Sequence, residues 1–196
     1  MTARTRWGVL GILVVGALIG VAGVAATTEM VHWSSTNKFC TESCHSMQWV
    51  GKAYQKGLHA KTRVGVTAGC ADCHIPYESQ HADPWQYVQL MVYKAKSGAK
   101  DVYHEAKGTI DTEQKWLQER EQLSTHVKTW MASNNSLTCR GCHDLAKMSN
   151  PDKPGAAEMH APLVNAEGVV CVECHTNAGH TYESAKSAST STTASR

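Results

Sequence analysis

Phenylalanine occurs once in these 196 residues, and beyond the first 26 the Leu, Ile and Val are sparse. A chain of this size ordinarily fills its interior with such side chains, so the part after residue 26 excludes a conventional core unless something other than protein fills it. Spare cysteine is missing too. All eight Cys fall in four pairs, Cys40/Cys44, Cys70/Cys73, Cys139/Cys142 and Cys171/Cys174, and each pair is followed directly by His45, His74, His143 or His175. None is left for a disulfide framework. Strong charge of either sign is also absent, and a formal net charge of +2 is too small to argue for nucleic acid as a partner.

What is present begins with 20 uncharged residues from Trp7 to Ala26, rich in Val, Leu, Ile and Gly. A helix of that length spans about 30 Å, the thickness of a bilayer's hydrocarbon core, which predicts a transmembrane anchor over 7–26. Arg4 and Arg6 precede it, and no Lys or Arg follows until Lys38. The positive-inside rule then puts residues 1–6 in the cytoplasm and the remainder in the periplasm, as a single-pass protein of a bacterial inner membrane. The alternative is a cleaved signal peptide ending at Val24-Ala25-Ala26, against which the length of the apolar run argues. Residues 27–39 read as a short polar connection. The Ser/Thr/Ala-rich stretch 183–196 reads as a disordered tail.

Two thiols followed at once by His are what covalent attachment of c-type haem requires, since two thioether bonds hold the porphyrin edge while the next side chain reaches the iron. Three copies are regular: Cys70-Ala71-Asp72-Cys73-His74, Cys139-Arg140-Gly141-Cys142-His143 and Cys171-Val172-Glu173-Cys174-His175. The first, Cys40-Thr41-Glu42-Ser43-Cys44-His45, carries one residue more between its thiols, and Met47 follows two positions later. Four haems would supply the missing apolar volume and a reason for eleven His. Tetrathiolate zinc on Cys70/Cys73 with Cys139/Cys142 is the alternative, but it does not explain four adjoining His.

The motifs repeat in pairs. His45 and His74 are 29 residues apart, and His143 and His175 are 32 apart. This predicts two di-haem units, about 38–82 and 134–182, joined by a helical insert of about 84–133. His59 lies 11 residues before Cys70, and His160 lies 11 before Cys171. A shared register outside the motifs makes both candidate axial ligands. His180, five residues after His175, is a further candidate. His126, near the insert's apolar face, is a weaker one, and His32, His81 and His104 read as ordinary polar side chains.

Within the insert, Val88, Met91, Ala95, Ala99, Val102 and Ala106 recur at three- and four-residue steps, predicting an amphipathic helix from Trp85 to about Ala106 that Gly108 stops. Asp111 or Thr112 can cap a second helix whose one face carries Trp116, Arg120, Leu123, Val127 and Trp130 and which Asn134-Asn135 ends. Lys94, Asp101 and His104 share a face of the first helix, with Ser97 and Gly98 between them. That face is either solvated or laid against haems. In the second case Lys94 can bind iron if its amine is kept deprotonated, and Asp101 can take protons. The predicted fold is thus mainly α, a multihaem cytochrome c with one N-terminal transmembrane helix and a haem-packed periplasmic domain over 27–182.

These phrases resemble the NapC/NirT/NrfH family of membrane-anchored tetrahaem quinol dehydrogenases over residues 5 to 182: the anchor, Phe39-Cys40…Cys44-His45-Ser46-Met47, His59 before Gly69-Cys70-Ala71-Asp72-Cys73-His74-Ile75-Pro76, Ser136-Leu137-Thr138-Cys139-Arg140-Gly141-Cys142-His143-Asp144, and Cys171-Val172-Glu173-Cys174-His175. The resemblance implies that membrane quinol is oxidised beside the first haem and that electrons pass to a periplasmic reductase. It also implies self-association. By the same resemblance Met47 is the axial ligand of the first haem, Asp101 the carboxylate near the quinol, and Lys94 the ligand of the second haem. His59 and His160 are the distal ligands of the other two. The rival expectation is an anchored multihaem shuttle that passes electrons between proteins without a quinol site. The extra residue in the first motif departs from the family pattern.

Overall fold

A computed structural model describes residues 3–62, 65–76, 83–152 and 154–182. His81, the end of the first unit as predicted, and the Ser/Thr-rich stretch 183–196 lie outside the described residues. Ten α-helices and two 3-10 turns, and no strand, are found among the described residues.

The N-terminal helix α1 runs from Ala3 to Ser34, with a 30-residue segment, Thr5–Ser34, long and apolar enough to cross a membrane. At 1.5 Å per residue the 32 residues of α1 measure about 48 Å, well beyond the hydrocarbon thickness. The polar connection expected over 27–39 is therefore helical as far as Ser34. Its polar side chains stay satisfied without leaving the helix: Thr27 Oγ1 donates to the Gly23 carbonyl at 3.0 Å, and Thr28 Oγ1 to that of Val24 at 2.9 Å.

Each Cys pair opens on or beside a short helix. These are α2 (Asn37–Glu42) for Cys40, α4 (Cys70–His74), α7 (Leu137–Arg140) for Cys139, and α10 (Cys171–Cys174). Between them lie α3 (Gln48–Gln55), the long pair α5 (Pro84–Lys107) and α6 (Glu113–Ser133), and the small helices α8 (Leu145–Met148) and α9 (Pro154–His160). The long pair lies within residues 84–133. Asp83 caps α5 by accepting the Trp85 amide at 2.8 Å, and Gly108 ends it in the left-handed conformation (φ 66°) that glycine adopts without strain. Thr112, of the two candidate caps, accepts the Lys115 amide, and Asn134 closes α6.

The side of α5 that packs is not the predicted one. Val88 and Val102 of the apolar stripe are exposed, whereas Leu90 is fully buried. The face through Leu90, Lys94 and Glu105 turns inward because the two charged groups find polar partners there: Lys94 at the end of α1, and Glu105 at the first motif. On α6 the expected face does make contacts, with Trp130 against Tyr93 at 5.9 Å and Trp116 against Tyr182 at 5.8 Å, although Leu123 remains exposed. Among the described residues the buried apolar side chains are Val31, Ala53, Tyr54, Ala71 and Leu90. A core this small agrees with the shortage read from composition.

Candidate functional site

A Cys three positions before another lies one helical turn from it, so both thiols project from the same side. In the regular motifs that turn is intact. Cys70, Cys73 and His74 all belong to α4, and the amides of His143 and His175 donate to the carbonyls of Cys139 and Cys171, each at 2.9 Å. The first motif is built differently. α2 stops at Glu42, Cys44 is extended (φ −119°, ψ 123°), and His45, Ser46 and Met47 form a separate 3-10 turn. The additional residue is taken up by this break, which carries Cys44 and His45 off the helix bearing Cys40.

The two units share a detail invisible in the motifs themselves. Asn37 Oδ1, three residues before Cys40, accepts the Cys70 amide at 2.7 Å, and Ser136 Oγ, three before Cys139, accepts the Cys171 amide at 3.0 Å. The first thiols also meet within each unit. A hydrogen bond to Cys40, followed by burial, pushes the Cys70 thiol up strongly, and burial followed by the Cys171 charge pushes Cys139 up. Burial, then Cys139, raises Cys73 to about 11, so the two units abut there. All eight thiols are free of disulfides. No group of three or more His, Cys, Asp or Glu able to hold a metal ion forms among the described residues.

Three of the motif imidazoles face another imidazole. Ring centroids of His143 and His59 are 6.0 Å apart, those of His74 and His180 6.1 Å, and those of His175 and His160 6.1 Å with the rings nearly parallel at 8°. Two imidazoles on opposite sides of one iron, each with a metal–nitrogen bond of about 2 Å, hold their ring centres about 6 Å apart, so these pairs fit haem iron. The tautomers fit as well. Nδ1 of His59 lies 2.7 Å from the Ala178 carbonyl and Nδ1 of His160 2.9 Å from that of Ala156. A carbonyl can only accept, so each Nδ1 carries the proton and each Nε2 is free to ligate. Burial, then the charge of His180, lowers His74 to about 4, and burial lowers His180 against an opposing Val50 backbone bond. Both rings are thereby held neutral, the form that binds metal.

The pairing cuts across the repeat. His59 and His160 hold the same offset from the next Cys, yet His160 faces the His of its own unit while His59 faces His143 of the other. His180 takes the place opposite His74. Lys94 stands elsewhere: its Nζ donates to the Val31 carbonyl at 3.0 Å and to Ser35 Oγ, at the end of α1. His104 is held by Thr109 Oγ1 at 3.0 Å, and His32 and His126 are exposed.

His45 faces a carboxylate. Its Nε2 is 3.6 Å from Glu105 Oε1, and Ser46 Oγ donates to the other oxygen of the same group. Met47 is half-buried on the same turn. Burial first, then the charges of Glu105 and Asp101, raise the Cys44 thiol, so both acids of α5 stand over the first motif. Asp101 reaches the surface, but neighbouring atoms remove enough water to raise its carboxyl above the ordinary value, against the opposing charges of Lys100 and His104. Glu105 escapes a reading based on His and Lys spacing. The available signal was its position four residues after Asp101, on the same helix face.

Residues 2–185 match the NapC/NirT cytochrome c family, N-terminal region. A protein of Allochromatium vinosum named for a tetraheme cytochrome of c type is 36% identical over 171 residues, covering 87% of this chain and 86% of its own. The cytochrome c-type protein NapC of Escherichia coli K12 is 33% identical over 86% of this chain and 80% of its own. The cytochrome c-type protein TorC of the same strain is 31% identical over 89% of this chain, which spans 43% of TorC. No solved structure matches the chain.

Proposed function

Because the chain belongs to the NapC/NirT cytochrome c family, a family of haem-bearing electron-transport proteins, we propose that it is an inner-membrane-anchored tetrahaem cytochrome that oxidises quinol at its first motif. The electrons then pass to a periplasmic reductase. One observation carries this reading: among the described residues, three motif imidazoles face a second imidazole, and the fourth, His45, which follows the membrane-length helix by eleven residues, faces a carboxylate. A site unlike the others, next to the bilayer and served by acids, is suited to a lipid-soluble donor of electrons and protons.

The eight Cys would hold the haems by thioether bonds. His74 with His180, His143 with His59, and His175 with His160 would close three irons, and His45 and Met47 serve the first. Bound haem supplies a one-electron iron couple, so four of them can carry quinol electrons outward singly. The rest falls to the chain. Oxidation of a quinol releases two protons with its two electrons; Asp101, already biased toward binding a proton by lost hydration, receives one of them at a time near the first motif and hands it to water, which takes both in the end. Glu105 holds the His45–Ser46 turn. Lys94 ties α5 to the last turn of α1, fixing these acids relative to the membrane. Two turns of helix, about 10 Å, separate Lys94 from Asp101.

The test is quinol-driven haem reduction by the full chain in proteoliposomes, with no donor protein present. Reduction at catalytic rates supports the reading. Haems that stay oxidised with quinol, yet are reduced by dithionite, would leave an electron shuttle without a quinol site.

A further inference from the structure

Resting on the ligand pairs assigned above, we propose that residues 178–182 form a strap, held by Gly57, Trp116 and Arg120 and by its own Tyr182, which supplies a ligand to one haem and orients a ligand of another, neither being the haem its own motif binds. The segment leaves Cys171-Cys174-His175 and returns to the first unit. There the Ala178 carbonyl accepts from His59 Nδ1 at 2.7 Å, orienting the ring that faces His143. Two residues later His180 itself faces His74. A single short stretch thus supplies one imidazole and fixes the tautomer of another.

Both sides of the strap are clamped. Toward α3, the Thr181 amide donates to the Ala53 carbonyl at 3.1 Å. Gly179 passes so close to Gly57 that a Cβ built on Gly57 would stand 2.8 Å from the Gly179 carbonyl oxygen, an approach only a residue without a side chain permits. Toward α6, the Tyr182 ring lies parallel to His180 (6.0 Å, 9°) and against Trp116 at 5.8 Å. The Arg120 guanidinium sits over both aromatic rings, 5.6 Å from Trp116 and 5.4 Å from Tyr182. A planar cation over two aromatic faces restrains the tyrosine, and the tyrosine restrains the imidazole.

The experiment uses the full-length holoprotein, with haem content from the pyridine haemochrome and spin state from electron paramagnetic resonance. Gly57→Ala and Tyr182→Ala each convert at least one haem equivalent from low spin to high spin at unchanged haem content, and Tyr182→Phe, which keeps the ring, stays low-spin. His180→Ala separates this from the reading beneath it. If His180→Ala turns high-spin while Gly57→Ala and Tyr182→Ala remain wholly low-spin, the strap is overturned and the ligation stands. A His180→Ala protein that stays low-spin removes His180 as a ligand and the strap with it.

Discussion

Glu105 stands across from His45, its Oε1 3.6 Å from the imidazole Nε2, while its other oxygen accepts the Ser46 hydroxyl. Among the described residues, the first motif is thus the one with a carboxylate against its imidazole. Glu105→Gln keeps an acceptor for Ser46 but removes the charge, which favours the reduced, less positive iron. The midpoint potential of the first haem rises by on the order of tens of millivolts, with the other three unmoved. A potentiometric titration of the full chain checks this, and a uniform shift of all four potentials, or none, would remove Glu105 from the first site.

Asp101 gives the pH dependence its sign. Burial raises its carboxyl in the folded protein, so the folded state holds this proton more firmly than the unfolded one does. Its contribution to stability is therefore fully present below the unfolded value of 3.8 and is lost as pH rises through the higher folded value. Acceptance of a quinol proton needs the ionised form, so the rate falls as pH drops through that same folded value. Asp101→Asn slows quinol-driven reduction by roughly 10- to 100-fold and abolishes the acid limb of the profile. Unchanged rates at every pH would exclude Asp101 as the acceptor.

The four attachment motifs were legible in the sequence because attachment is local chemistry: two thiols and an imidazole must be adjacent in the chain, and spacing records that. Helix ends were legible for the same reason at Gly108 and Thr112, whose caps bond within a turn or two. Which imidazoles face one another was not. The shared offset of His59 and His160 suggested equivalent roles, but the strap places His180 opposite His74 and leaves His59 facing the other unit, a long-range outcome with no local signature. The inward face of α5 was misread because apolar periodicity assumes that hydrophobic contact decides orientation, whereas Lys94 and Glu105 decide it here through polar partners.

Lys94 separates resemblance from geometry. If it ligated the second haem, Lys94→Gln would change the low-spin spectrum of that haem. Its amine instead bonds to the Val31 carbonyl and Ser35, and His180 occupies the position facing His74. The expected outcome is an unaltered low-spin spectrum, with a loss of about 1 kcal/mol in stability from the broken link between α5 and α1. Spectroscopy at equal haem content decides it, and a new high-spin signal would restore Lys94 as a ligand.

Asn37 and Ser136 are the matched fastenings of the two units, each accepting the amide of the first Cys in the partner motif. Ser136 is fully buried and held in the left-handed region at φ 54°, so its backbone is strained and its hydroxyl does the binding. The two effects can be separated by substitution. Ser136→Ala leaves the half-buried Cys171 amide without its acceptor and keeps the strain, for a loss of about 1–3 kcal/mol. Ser136→Gly loses the same bond but relaxes the backbone, recovering about 1 kcal/mol of that loss. Asn37→Ala costs at least as much as Ser136→Ala, since Asn37 Nδ2 also donates to the Tyr54 hydroxyl at 3.3 Å. Urea unfolding of the detergent-solubilised holoprotein gives the order. Ser136→Gly falling at or below Ser136→Ala would mean that the left-handed conformation carries no strain worth relieving, and that hydrogen bonding alone selects serine at this position.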